Sequence, residues 1–187
     1  MLYQLTILIW PTVSKEKLST FALLSAILHI ISPAGLFLSA PYAESPFSLL
    51  SFVGFYLYAK SHEIRLRNQT GRGDSVLMLS GLVFGFASVF RGNGLFSGLI
   101  FIYDAIEAVF LVLHGTELAG SIRIFVTIVS AGLLMACIAI VPQYFAYVDL
   151  CTGKNDQSSP RPWCSNWIPS VYAWVQGHYW YGCLRTL

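Results

Sequence analysis

Charge is scarce in this sequence. Aspartate, glutamate, lysine and arginine together make up 11% of its 187 residues, against about 25% in ordinary soluble domains. So few ionic groups argue against a water-soluble globular enzyme. The formal net charge of +2 is too small to suggest a nucleic-acid partner, whose phosphates demand a concentrated basic face. Neither a Walker loop nor a GxGxxG turn occurs, so the usual backbone cradles for nucleotide phosphates are missing. The cysteines (Cys137, Cys151, Cys164 and Cys183) form no CxxC pair, which excludes the common zinc spacing. Met1–Trp10 has neither a basic flank nor a small-residue cleavage site and does not read as a signal peptide. No internal repeat or low-complexity run is present.

What the chain has is apolar length. Hydrophobic residues account for 56% of it and the mean hydropathy is +0.64. Apolar segments of spanning or near-spanning length fall at about residues 20–38, 46–60, 75–90, 95–113 and 124–142, where roughly 20 residues suffice to cross a bilayer. The expected fold is all-α, a polytopic membrane helix bundle of about five transmembrane helices. It forms a single membrane domain that ends in a lumenal or interfacial segment over residues 143–187. Tryptophan and tyrosine crowd that last segment, as at a headgroup boundary. Ser80, Gly81, Gly85 and Ser88 give the third span the small residues that let helices approach closely in lipid. Met1–Trp10 is too short to cross; it reads as the tail of a helix or as an interfacial segment. Pro142 is expected to end the fifth span.

The chain is organised around Ser32–Pro46 (SPAGLFLSAPYAESP). Three prolines and a glycine remove donors and free the backbone there. Broken backbone at membrane depth survives only where protein or water satisfies it, so this bend marks an aqueous face. Assigning the connections to alternate faces puts Lys15, Lys17, Lys60, Arg65, Arg67, Arg72 and Arg123 on one side. The bend, Arg91, Lys154, Arg161 and Arg185 fall on the other. The more basic face is expected to be cytosolic, and the bend, Arg91 and the aromatic tail lumenal. The glycosylation pattern Asn68-Gln69-Thr70 and the tripeptide Arg72-Gly73-Asp74 then face the cytosol and carry no meaning.

The candidate chemistry gathers on the lumenal side. Arg91 ends an apolar span, where an arginine needs an anion or a bundle partner; it fits a bidentate phosphate ligand, a structural pair with Asp104 or Glu107, or simple snorkelling to the interface. Those two carboxylates, at i and i+3, share a face and are expected to pack within the bundle. Tyr42 and Glu44 serve a site or cap the following span. Asn93 follows Arg91 in the interrupting Arg91-Gly92-Asn93-Gly94. Gln176, His178, Tyr179 and Trp180 offer stacking faces and polar partners to a sugar ring, or anchor the tail at the interface. Cys151 and Cys164 fit a disulfide in an oxidising compartment or two free thiols. No metal site is expected.

At Ser32–Ser45 (SPAGLFLSAPYAES), Phe84–Gly94 (FGFASVFRGNG) and Pro162–Trp180 (PWCSNWIPSVYAWVQGHYW) the chain resembles the PIG-V family of GPI mannosyltransferases, its fungal members in particular. The family's corresponding blocks are Ser-Pro-Ala…Ser-Ala-Pro-Tyr-Ser-Glu-Ser, Arg-Ser-Asn-Gly, and Pro-Trp-Cys…Tyr-Val-Gln…Tyr-Trp. Three blocks in order make the match specific. The resemblance implies part of a GT-C-type glycosyltransferase of the endoplasmic reticulum membrane. Such an enzyme adds the second, α-1,6-linked mannose to the GPI precursor from dolichyl-phosphate-mannose, at the lumenal face. It implies lipid-linked donor and acceptor in membrane lipid, no cofactor, and in some fungi a small accessory membrane subunit. Under it Tyr42, Glu44, Arg91, Asn93, Gln176, His178, Tyr179 and Trp180 become substrate-binding candidates. The family's catalytic acidic residue sits on a loop outside these residues. Ala43 replaces the family's serine, and Tyr181–Leu187 departs from the family's Asn-Val-Gly-Phe-Leu-Arg-Tyr, so the chain is expected to be an internal fragment or the product of a mis-spliced gene. A non-catalytic polytopic subunit is the alternative. A transporter is disfavoured, since no paired broken helices mark two related halves.

Overall fold

The computed structural model describes residues 1–10, 14–31, 43–114, 118–152 and 163–164. Every element among them is helical, as the all-α expectation requires. The chain separates into two compact units, Met1–Ala139 and Ile140–Leu187.

The first unit holds α1 (Leu2–Ile9), α2 (Lys15–Ile31), α3 (Glu44–Leu66), α4 (Thr70–Phe90) and α5 (Gly98–Leu113), and most of α6 (Leu118–Tyr147). A 3-10 turn, Gly92–Ser97, joins α4 to α5. Among the described residues, three stretches are long and apolar enough to cross a membrane: Thr70–Phe90, Gly92–Leu113 and Ala119–Cys151. The outward faces of α5 and α6 are mostly hydrocarbon, with Leu99, Ile102, Phe110, Val126 and Leu133 exposed. Such faces are tolerated in lipid rather than water.

The helix limits differ most from the sequence expectation at two ends. The segment expected at 46–60 runs on to Leu66, through residues placed in a polar connection. Its charges satisfy one another within the helix: Glu63 accepts from Lys60 three residues back and from Arg67 four residues on. The reversal is then made by Arg67, Asn68 and Gln69, with Asn68 at φ 60°. Asparagine is among the few residues that take the left-handed region readily. At the far end, α6 continues past Pro142 to Tyr147 and into a π-type turn, Val148–Thr152. The proline forfeits one backbone hydrogen bond without ending the helix, as membrane helices allow.

The core of the first unit is Leu77, Phe84, Phe101, Ala108, Ile128, Ala131 and Met135. Phe84 stands edge-on to Phe55 and Phe101, with ring centroids 5.0 and 6.1 Å away. Small residues set the helix distances around it. A Cβ on Gly54 would sit 2.6 Å from the Phe84 ring, and one on Gly81 would collide with the Ala131 carbonyl. Ser80 reinforces the α3–α4 contact by donating to the Gly54 carbonyl at 3.1 Å. The small-residue face of the third expected span is therefore a packing face, against α3 and α6.

Candidate functional site

The α3–α4 hairpin decides which charges meet. α3 starts at Glu44 and its antiparallel neighbour α4 ends at Phe90, so Glu44 and Arg91 come to the same end of the pair. Arg91 Nη1 donates to Glu44 Oε1 at 3.3 Å, both side chains being about two-fifths exposed. Arg91 leaves the helix in an extended conformation, φ −150°. Its backbone is fixed on both sides: its N–H donates to Ala87 O and its carbonyl accepts from Gly94 N–H. Gly94 presses on the Ser88 backbone, leaving no room for a Cβ. The turn therefore folds back tightly and aims the guanidinium at α3, while Asn93 remains exposed on it. Glu44 lies in the first turn of α3, where the helix dipole favours a carboxylate.

Beside this pair opens a cavity of about 680 Å³ between α2, α3 and the 3-10 turn. Its walls are chiefly Phe47, Phe52, Phe55 and Phe96, with His29 and Glu44 at its polar margin. His29 meets Phe52 edge-on, ring centroids 5.2 Å apart. The Ser51 hydroxyl, also in the lining, is buried and has no hydrogen-bond partner among the described residues. A carboxylate–guanidinium pair above an aromatic hydrocarbon cleft suits an amphiphile, with an anionic or polyhydroxylated head at the pair and a chain among the phenylalanines.

The opposite end of the hairpin is ionic. Asp74 accepts from Arg65 Nη2 at 2.8 Å and from Arg123 Nε at 2.9 Å, tying α3, α4 and α6 together. Thirteen residues of α2 separate His29, in the aromatic cavity, from Glu16 beside Lys15 and Lys17, about 20 Å at 1.5 Å per residue. The basic residues of the first unit thus gather away from Arg91, as the charge count demands.

Arg91 does not pair with Asp104 or Glu107, which corrects one sequence reading. Asp104 is buried and receives the Tyr58 hydroxyl at 2.7 Å, with His62 Nε2 3.4 Å away but not aligned to donate. Glu107 is exposed, so the two carboxylates do not pack inward together. Three residues turn a helix by about 300°, enough to carry Glu107 off the edge of the face that Asp104 turns to α3. Of the candidates, Glu44 and Arg91 are brought together and Asn93 adjoins them. Tyr42, Gln176, His178, Tyr179 and Trp180 lie outside the described residues. In the second unit Cys151 and Cys164 form a disulfide, Cα atoms 5.7 Å apart, next to the buried Trp163. Sequence reasoning missed His29, Ser51, Phe52, Tyr58 and His62. A histidine inside an apolar run was the available signal for His29.

The model of the mannosyltransferase (PIG-V) family matches residues 1–185. The chain belongs to the PIG-V family. A GPI mannosyltransferase 2 of Gibberella zeae is 37% identical over 179 residues, 96% of this chain and 40% of that protein. The Aspergillus fumigatus protein of the same name is 42% identical over 181 residues, again 96% and 40%. That of Aspergillus oryzae is 41% identical over 158 residues, 84% of this chain and 36% of the relative. The chain spans about two-fifths of the length of these curated PIG-V relatives. No solved structure matches. The aromatic cleft and its ion pair are thus features of a PIG-V membrane segment.

Proposed function

We propose that this chain forms the donor-binding part of a GPI mannosyltransferase of the endoplasmic reticulum membrane. The observation that carries the reading is the Glu44–Arg91 pair at the margin of the aromatic cleft. The donor would be dolichyl-phosphate-mannose, its isoprenoid chain among Phe47, Phe52, Phe55 and Phe96 and its phosphate at Arg91. The acceptor would be a GPI precursor, which receives its second mannose in α-1,6 linkage. An acceptor hydroxyl attacks the anomeric carbon as the bond to the phosphate oxygen breaks. The hydroxyl proton passes to a general base, and dolichyl phosphate departs. The phosphate gains charge as it leaves, so a fixed guanidinium lowers the barrier to this step. Among the described residues Glu44 takes one Arg91 nitrogen, and the rest of the planar fork suits phosphate oxygens. Positive-inside orientation puts this end on the lumenal side.

A photoreactive polyprenyl phosphate tests this assignment. Crosslinks are expected on residues 47–55 and at Phe96, competed by dolichyl phosphate. Labelling confined to other helices, or insensitive to the competitor, would show that the cleft does not hold the donor.

A further inference from the structure

A second cavity, of about 650 Å³, lies between α1 and the last turns of α3, far from the Glu44–Arg91 pair. Glu44 and Arg67 are separated by the whole of α3, about 35 Å at 1.5 Å per residue. Ile7, Leu8 and Leu66 line it with hydrocarbon, and Lys60, His62 and Arg67 supply cationic or protonatable groups. Leu66 is 85% exposed, costly in water but not beside acyl chains. α1 is followed by an exposed Trp10, and a tryptophan at a helix end suits the headgroup level. This cavity therefore has one apolar wall at interfacial depth and one basic wall.

We propose that it is a binding site for an anionic glycerophospholipid of the cytosolic leaflet. Glu63 bridges the two cations, at 2.6 Å from Lys60 Nζ and 2.7 Å from Arg67 Nη2. The i, i+3 and i+7 spacing holds all three on one helix face. Lys60 has three N–H donors and Arg67 five, and Glu63 takes one from each. The remainder can receive phosphate oxygens. One carboxylate against two cations leaves the wall positive, so a zwitterionic headgroup gains less than a net-negative one. The acyl chains continue along Ile7, Leu8 and Leu66. Juxtamembrane basic residues attract anionic lipid by roughly fivefold in affinity each.

Native mass spectrometry of the full chain in detergent, with added phosphatidylserine or phosphatidylcholine, reads this out directly. Phosphatidylserine occupancy is expected at about tenfold or more above phosphatidylcholine, with no competition from inorganic phosphate, which lacks the chains. Lys60→Gln with Arg67→Gln should cut phosphatidylserine affinity by about 25-fold. Glu63→Gln removes the competing carboxylate and should raise it several-fold, which keeps the proposal testable if the double variant fails to fold. Lys15→Gln with Lys17→Gln should change nothing. Equal binding of the two lipids, displacement by inorganic phosphate, an unchanged double variant that retains its helical circular dichroism, weaker binding by Glu63→Gln, or a loss on Lys15/Lys17 substitution as large as that at Lys60/Arg67 would each overturn it.

Discussion

Replacing Arg91 separates a ligand-binding arginine from a structural one, because the two roles predict costs of different size. The guanidinium and the Glu44 carboxylate meet at 3.3 Å with side chains 40% and 39% exposed. Ion pairs this open to solvent contribute about 0.2–1 kcal/mol. A chain of this size loses about 2–4 °C of melting temperature per kcal/mol, so Arg91→Ala should lower it by no more than about 4 °C. Removing a donor that stabilises developing charge in a transition state costs about 100-fold to 1,000-fold in rate. In a full-length family member carrying the substitution at the aligned position, mannose transfer from dolichyl-phosphate-mannose should therefore fall at least about 100-fold. Arg91→Lys retains the charge and loses the planar fork; its rate should lie between the two, with stability unchanged. The assay is transfer of labelled mannose in detergent, read beside thermal unfolding of the same preparations. Unimpaired transfer by Arg91→Ala would refute the phosphate role. So would a melting temperature that falls by 10 °C or more in step with the rate.

Three further outcomes follow from the packing and the charges. Tyr58→Phe strips a buried carboxylate of its 2.7 Å donor and should cost about 1.5–3 kcal/mol in thermal unfolding; adding Asp104→Leu should recover most of it, since the stranded charge goes too. Gly81→Ala drives a methyl group into the Ala131 carbonyl, whereas a Cβ at Gly98 meets Met135 at an ordinary 3.8 Å; the first should destabilise by about 1–3 kcal/mol and the second should not. The hydrogen bond from Lys60 is the main reason the Glu63 carboxyl titrates below its usual range, with the Lys60 and Arg67 charges adding to it against burial. Its contribution is then complete above the unfolded carboxylate value, near 4.3, and is lost as pH falls through the lower folded one. Glu63→Gln should remove that acid dependence, measured as unfolding between pH 5 and pH 2, because the variant lacks the same contribution at pH 7 and differs little from the parent at pH 2.

Membrane character was legible because it rests on composition and run length, which the chain carries locally. Helix ends and charge partners were not. A hydropathy reading halts at Lys60, since each ion in the following segment counts as a cost. It cannot register that Glu63 compensates Lys60 and Arg67, or that Asp74 compensates Arg65 and Arg123. Those pairings let the helix extend to Leu66. Arg91 shows the limit more sharply. Its two nearest acidic residues downstream, Asp104 and Glu107, were natural partners by sequence distance, yet the pair forms with Glu44, 47 residues back. The left-handed Asn68 turn sets that outcome by reversing the chain between two helices of 23 and 21 residues. Near-equal lengths return the end of α4 to the start of α3. A hairpin with one arm shorter by two turns would displace Arg91 about 11 Å along the axis, well out of reach of Glu44. The site is thus specified by helix length as much as by the residues at it, and insertion of a full turn into α4 alone should abolish the ion pair while leaving both residues in place.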